Sequence, residues 1–334
     1  MKPALLEYLL CPACRSELRL SATATEGSEV IEGRLDCDSC GSGFSIVDGV
    51  PRFVGELNED RRATADAFGS QWTTFDDLQS HHEDQLKGWI APVTPDFVRG
   101  RRVLELGCGK GRHTVSVAAW GARDVVAVDV SAAVEVAFRT TRHLANAHVV
   151  QADIFRLPFR PVFDYAFSIG VLHHLDDPAG GFRQLAAMVH RGGAISAWVY
   201  GRENNGWVVR VVGPLRKLVT SRMPSSVLYW LSLVPAAIVF AVLRTIYRPL
   251  ASTRWSQRLF YSDYLTSIAS FPFREIHTIV FDHLTAPTAF YLRRGEVEAW
   301  FRDVGARDVV IGWHNRNSWR GFGWLGAPLA QPKP

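Results

Sequence analysis

The sequence predicts an α/β protein: a twisted, mostly parallel sheet with helices on both faces. Three observations carry this. Short apolar runs of strand length recur between Val103 and Tyr200, separated by longer stretches suited to helices. The first run, Val103-Leu104-Glu105-Leu106, breaks into Gly107-Cys108-Gly109-Lys110-Gly111, the kind of glycine turn that joins a strand to a helix. The second and third runs end in Asp129 and Asp153, which puts carboxylates at strand tips, where such sheets bind ligands.

A chain of 334 residues, 47% apolar and 21% charged, is expected to fold as two or three globular units. At its start, Met1 to Leu10 hold Lys2 and several leucines, but Glu7 interrupts a segment too short for a signal peptide. Four of the five cysteines form two knuckles, Cys11-Pro12-Ala13-Cys14 and Cys37-Asp38-Ser39-Cys40, separated by 22 residues. That is the spacing of a tetrahedral zinc site. Four thiolates leave no open position for water, so Cys11, Cys14, Cys37 and Cys40 are expected to hold structural rather than catalytic zinc; the alternative is four ordinary thiols. Metal thiolates need a reducing compartment, which predicts a cytoplasmic protein. Cys108, between two glycines, reads as a small packing residue. Glu56 to Arg62 reads as a linker, and Ala63 to Trp72 has helical spacing that sets Phe68 and Trp72 on one face.

In the sheet region the glycine turn lets backbone approach a ligand, and the following helix start offers free N–H groups to it. Asp129, closing Val125-Val126-Ala127-Val128, is placed to accept both hydroxyls of a ribose. Asp153, closing Val149-Val150-Gln151-Ala152, suits an adenine amino group. An adenosine-containing ligand is implied. Glu105 is a buried acid that needs a partner. The fourth strand, Phe163 to Ile169, runs into Gly170-Val171-Leu172-His173-His174-Leu175, and the fifth is Gly192 to Tyr200.

Residues 204–262 then form an insertion with eight Arg or Lys and no acid, leaving 29 basic against 33 acidic residues elsewhere. Met223 to Leu243 carries no charge and approaches the ~20 apolar residues of a spanning helix. One crossing would separate strands that must share a sheet, so the expectation is a hairpin, re-entrant or interfacial helix contacting a membrane through 207–250, or a buried lid over a substrate pocket. After it, Asp282 and His283 are expected on loops at the rim, Glu296 to Phe301 on a last helix, and Arg307 to Trp313 on a strand before an antiparallel final strand opening at Asn317.

With these motifs in order, residues 101–200, and less sharply 285–325, resemble the class I S-adenosylmethionine-dependent methyltransferases of the type 11 (UbiE-like) branch. The knuckles, with Ile46-Val47-Asp48-Gly49-Val50-Pro51, resemble the Trm112-like zinc ribbons. The resemblance implies a Rossmann-like, seven-stranded α/β sheet behind an N-terminal zinc ribbon, interrupted by the apolar, basic helical insertion. It divides the chain into 1–55 (ribbon), 56–100 (linker and helical lead-in), 101–200 (core), 201–284 (insertion) and 285–334 (completion of the core and tail). It also implies roles: Glu105, Gly107, Gly109, Gly111, Asp129, Asp153 and Ile154 around S-adenosylmethionine, Phe68, Gln71 and Trp72 as its cover, and His173 or His174 as catalytic base or packing residue.

Such a chain is expected to methylate oxygen or carbon of a hydrophobic small molecule, quinone-like, lipid or secondary metabolite, in the cytoplasm and at the inner face of the membrane. Alternatives are an RNA methyltransferase gripping the backbone with ribbon and insertion, and a non-catalytic cofactor-binding module recruited to membranes. No Asn/Asp-Pro-Pro-Tyr segment follows strand four, which argues against exocyclic base nitrogen as acceptor. No cysteine follows it either, which argues against cytosine C5.

Overall fold

A computed structural model describes residues 1–79 and 81–326. The end of the last expected unit, 327–334, lies outside the described residues. The ribbon is an antiparallel sheet of β1 (Arg19–Glu26), β2 (Glu29–Asp36), β3 (Gly43–Val47) and β4 (Val50–Pro51), in that order. Its two knuckles have matching turns: Arg15 N–H donates to Cys11 O and Gly41 N–H to Cys37 O, with Arg15 (φ 65°) and Gly41 (φ 74°) left-handed.

The ribbon does not stand apart. Met1, Leu5, Tyr8, Leu9, Leu35 and Ile46 share one buried cluster with Val126, Val150, Phe159 and Phe163 of the larger unit. Backbone bonds join Leu10 to Pro158 and Arg160 to Tyr8, and the Tyr8 hydroxyl donates to Asp124 at 2.5 Å.

Helix α1 (Glu59–Thr74) begins inside the expected linker. Asn58 caps it by accepting from Arg61 N–H, and Glu59 and Asp60 sit at its positive end. Then α2 (His82–Ile90) and the short α3 (Pro95–Val98) lead to the sheet.

The sheet alternates as the apolar runs imply: β5 (Arg102–Leu106), α4 (Arg112–Ala119), β6 (Asp124–Asp129), α5 (Ala133–Thr141), β7 (Ala147–Gln151), β8 (Phe163–Ile169), α6 (Pro178–Ala187) and β9 (Val189–Tyr200). These five strands are parallel. Asp153 lies beyond β7, not in it, and caps a 3-10 turn by accepting from Phe155 N–H.

The insertion is helical: α7 (Gly213–Leu218), α8 (Ser225–Val242), a π-helical turn Leu243–Tyr247, α9 (Arg248–Leu250), α10 (Ser262–Ile268) and α11 (Phe273–Thr285). Leu228, Ser232, Ala236, Leu243 and Tyr247 are buried along one line of α8 and its continuation. The helix is therefore laid along the protein and does not project from it.

Chain return is marked by a parallel bridge between Gly201 and Leu292. Then α12 (Arg294–Asp303), β10 (Ala306–His314) and antiparallel β11 (Ser318–Leu325) complete the order β10-β11-β9-β8-β5-β6-β7. The sheet is the seven-stranded one that the resemblance implies, with the final strand antiparallel.

Candidate functional site

A cavity of about 750 Å³ opens beyond the carboxyl ends of the parallel strands. One end is the glycine turn. Gly107 (φ 81°) and Gly109 (φ 51°) line the cavity, and Gly111 (φ 81°) sits behind them at the start of α4. A Cβ on Gly107 would fall 2.1 Å from Val171, and one on Gly109 2.9 Å from Trp72 Nε1, so side chains are excluded from this cradle by contact as well as by φ. Asp129 faces it, with Oδ2 accepting from Gly109 N–H (2.9 Å) and Oδ1 from the N–H and hydroxyl of Ser131 (2.9 and 2.7 Å).

Glu105 and His173 are fully buried and are not on the cavity wall. The expectation that Glu105 touches the ligand is thus corrected to one of support. Burial raises its pKa to about 8, so it stays neutral at pH 7, receiving the Thr114 hydroxyl at 2.6 Å and pairing with His113 at 3.1 Å behind the turn. Asp153 and Ile154 do line the cavity, and Asp153 is clamped by Arg61 at 3.2 Å. Arg61 lies in the stretch expected to be a linker, and the Asn58-Glu59-Asp60 start signal ahead of it marks its helix.

Helix α1 covers the cradle with Phe68, Gln71 and Trp72, all on the cavity wall. Its end is tied down by Lys110, whose ammonium donates to Phe75 O and Asp77 O at 2.7 Å each. Burial, with Arg112 nearby, lowers the Lys110 pKa to about 8. Lys110 and Arg112 also lie 5.4 and 5.5 Å from the Trp72 ring centroid. Neither role has a local signal in the sequence, because only folding brings α1 over the turn.

The other end of the cavity is aromatic: Trp198, Tyr200, Tyr261, Tyr264, Phe271, Phe290 and Tyr291. Asp282 and His283 belong to helix α11, not to the expected loops. Asp282 accepts from Tyr200 Oη (2.9 Å) and Gln71 Nε2 (3.1 Å), linking fifth strand, insertion and cover. His174 Nδ1 lies 2.5 Å from the carbonyl of Thr288, an acceptor only, so Nδ1 carries the proton and Nε2 keeps its lone pair. Burial lowers the pKa of His174, opposed by Asp282, so the ring is neutral at pH 7. Around it are buried polar atoms with no hydrogen-bond partner among the described residues: both nitrogens of His173, His283 Nδ1, Tyr291 Oη and Arg216 Nε.

Among the described residues, two clusters have metal-ligand composition. Cys11, Cys14, Cys37 and Cys40 keep their sulfurs within 4.8 Å of one another, with closest approaches of 3.6 Å (Cys11 to Cys40) and 3.4 Å (Cys14 to Cys37). That all-thiolate set, on two matched turns, fits a structural zinc ion. His81, His82 and Glu275 form the second. Gln79 N–H donates to His82 Nδ1, which leaves the ring proton on Nε2 facing Glu275 at 3.5 Å, and Arg112 stands 3.9 Å from the same carboxylate. Burial pushes the Glu275 pKa up, but the nearby imidazoles of His81 and His82, with Nε2 at 3.7 and 3.5 Å, and the Arg112 charge outweigh it and hold the group well below the carboxylate range. The cluster is a buried carboxylate set between two imidazoles and a guanidinium.

The model of the methyltransferase domain family matches residues 104–197, and that of Trm112p-like proteins matches 2–49. The chain carries a methyltransferase domain behind a Trm112p-like unit. Among curated relatives, a tRNA U34 carboxymethyltransferase of Pseudoalteromonas translucida is 35% identical over 34% of this chain and 34% of its own length. One of Methylococcus capsulatus is 32% identical over 49% of each. The chain thus spans between a third and a half of the curated relatives it matches. Similar solved structures include the complex of the Haloferax volcanii Trm112 methyltransferase activator with a putative methyltransferase, at 14% identity, 82% and 100% coverage and TM-score 0.44. An S-adenosylmethionine-dependent methyltransferase from Aquifex aeolicus is 14% identical, with 77% and 98% coverage and TM-score 0.43. The glycine cradle beside Asp129 fits S-adenosylmethionine as the ligand of the methyltransferase domain.

Proposed function

We propose that the chain transfers a methyl group from S-adenosylmethionine to oxygen or carbon of a hydrophobic small molecule whose polar head enters the aromatic chamber. The observation that carries this is one continuous cavity joining the glycine cradle to a chamber walled by α10, α11 and residues 288–291. When bound, S-adenosylmethionine supplies a methyl activated on a sulfonium. Gly107, Gly109 and Gly111 bend the chain around its methionine part, Asp129 accepts from the ribose, and Asp153 with the Ile154 backbone reads the adenine. Phe68, Gln71 and Trp72 close over it and exclude water. His174 takes the acceptor's proton on Nε2 while Thr288 holds the ring. Asp282 aligns Tyr200. His283 Nδ1 and Tyr291 Oη, both on the cavity wall, suit a polar acceptor head. A cytoplasmic site follows from the thiolate cluster.

The names of the curated relatives favour a second reading, with tRNA as acceptor. Favouring the first reading is the chamber itself, an aromatic space continuous with the glycine cradle. Incubation with methyl-labelled cofactor and separate lipid, metabolite and tRNA fractions decides between them. Label in an organic-soluble fraction supports the proposal, and label in tRNA overturns it.

A further inference from the structure

We propose that the outer face of the insertion is a docking surface for an anionic lipid bilayer, with α8 lying in the plane of the membrane. Val227, Trp230, Leu231, Val234, Ile238, Val242 and Ile246 recur at helical spacing and are all exposed, Trp230, Val234 and Ile238 at 69%, 64% and 61%. They run opposite the buried line of Leu228, Ser232, Ala236, Leu243 and Tyr247. Val211, Leu215 and Leu218 form a second exposed apolar line on the preceding helical segment. Water-exposed apolar surface of this extent marks a place where something else is meant to bind.

Charge identifies the partner. Arg210, Lys217, Arg222, Arg248, Arg254 and Arg258 are exposed beside or at the ends of these lines, and none makes a salt bridge among the described residues. No acid occurs in residues 204–262. Unpaired cations around an apolar face, with Trp207, Trp230 and Trp255 exposed among them, match anionic headgroups above acyl chains. The helix from Ser225 to Leu250 has the length and hydropathy of a spanning segment. Its inner line, however, is packed on the protein throughout, including Ser232 Oγ at 2.7 Å from His277 Nε2, so it lies along the surface and does not cross. Its inner neighbour α11 carries Thr278, Ile279 and Asp282 on the cavity wall. A membrane seated here would therefore be one helix layer from the acceptor chamber.

The test is sedimentation of the full chain with vesicles of phosphatidylcholine alone and of phosphatidylcholine mixed with phosphatidylglycerol. The chain is expected to sediment with the mixed vesicles at least about tenfold more strongly than with neutral ones. The triple variant Trp230→Glu, Val234→Glu, Ile238→Glu should lose at least about tenfold of that binding. Its substitutions are solvent-facing, and retention of the wild-type melting transition shows that it folds. Exchange of Arg248, Arg254 and Arg258 for Gln, with the apolar line intact, should remove the preference for anionic lipid. The proposal is overturned if the wild type stays in the supernatant with both vesicles, or if the triple variant sediments like wild type. Self-association of the wild type without vesicle binding, abolished in the triple variant, would assign the face to a second copy and also overturn it. Binding is read without turnover, so the outcome is separate from that of the methyl-transfer reading.

Discussion

At Asp129, one N–H from Gly109 and the N–H and hydroxyl of Ser131 orient both carboxylate oxygens before any ligand arrives. Asp129→Ala is therefore expected to weaken cofactor binding by about thirtyfold or more, the worth of one charge-assisted hydrogen-bonding group, with little change in melting temperature. Calorimetry showing unchanged affinity removes the assignment. His174→Gln should lower kcat by about 100-fold or more while leaving cofactor affinity intact. Because burial lowers the pKa of His174, the wild-type rate should stay flat through neutral pH and fall only in acid, as the ring takes a proton. A rate already falling between neutrality and pH 8 on acidification would exclude His174 as the base. Glu105 has the opposite linkage. Its pKa is raised from 4.5 to about 8, so the unfolded chain loses a proton that the native chain keeps, and stability drains away as pH rises through that interval. Glu105→Gln keeps an acceptor for Thr114 without that loss. Its melting temperature should match wild type near pH 5 and exceed it by several degrees, on the order of the effect of a few kcal/mol, near pH 8. Parallel pH curves for the two proteins would refute the buried neutral acid.

Helix α1 acts as a cover because three ties hold it: Arg61 to Asp153, Gln71 to Asp282, and Lys110 to the carbonyls of Phe75 and Asp77. Lys110→Met removes the last and leaves two carbonyls without that donor. Limited proteolysis should then cut the 75–79 segment faster and cofactor affinity should fall, while the ribbon stays protected. Equal cleavage rates would show that α1 needs no such anchor. The strands were legible because alternation of apolar runs with glycine or acidic ends is a local signal. Helix α1 was only half legible: its spacing marked the body from Ala63, but the charged first turn resembled a linker until Asn58 was seen to cap it. For α8, composition identified an apolar helix and could not separate lid from membrane face. Burial on one line and exposure on the other give it one face packed on the protein and one turned to solvent.

On the scale of the whole molecule, ribbon and sheet share a core, so the zinc site and the parallel sheet are expected to unfold together. Chelation should lower the melting temperature of the entire chain in a single transition. Two independent transitions, with only the first moved by chelator, would show that the shared cluster contributes little. Sequence alone determined the strand succession, the glycine bend, the two cysteine knuckles and the apolar, acid-free insertion. Each depends on neighbours within a few residues, or on spacing along one element. Tertiary structure alone decided that His174 rather than His173 faces the cavity, that Glu105 backs the turn, and that Asp282 joins Tyr200 to Gln71. The physical reason is distance along the chain. Thr288, which sets the His174 tautomer, is 114 residues away, and Gln71 is 211 residues from Asp282, so no local pattern encodes either contact.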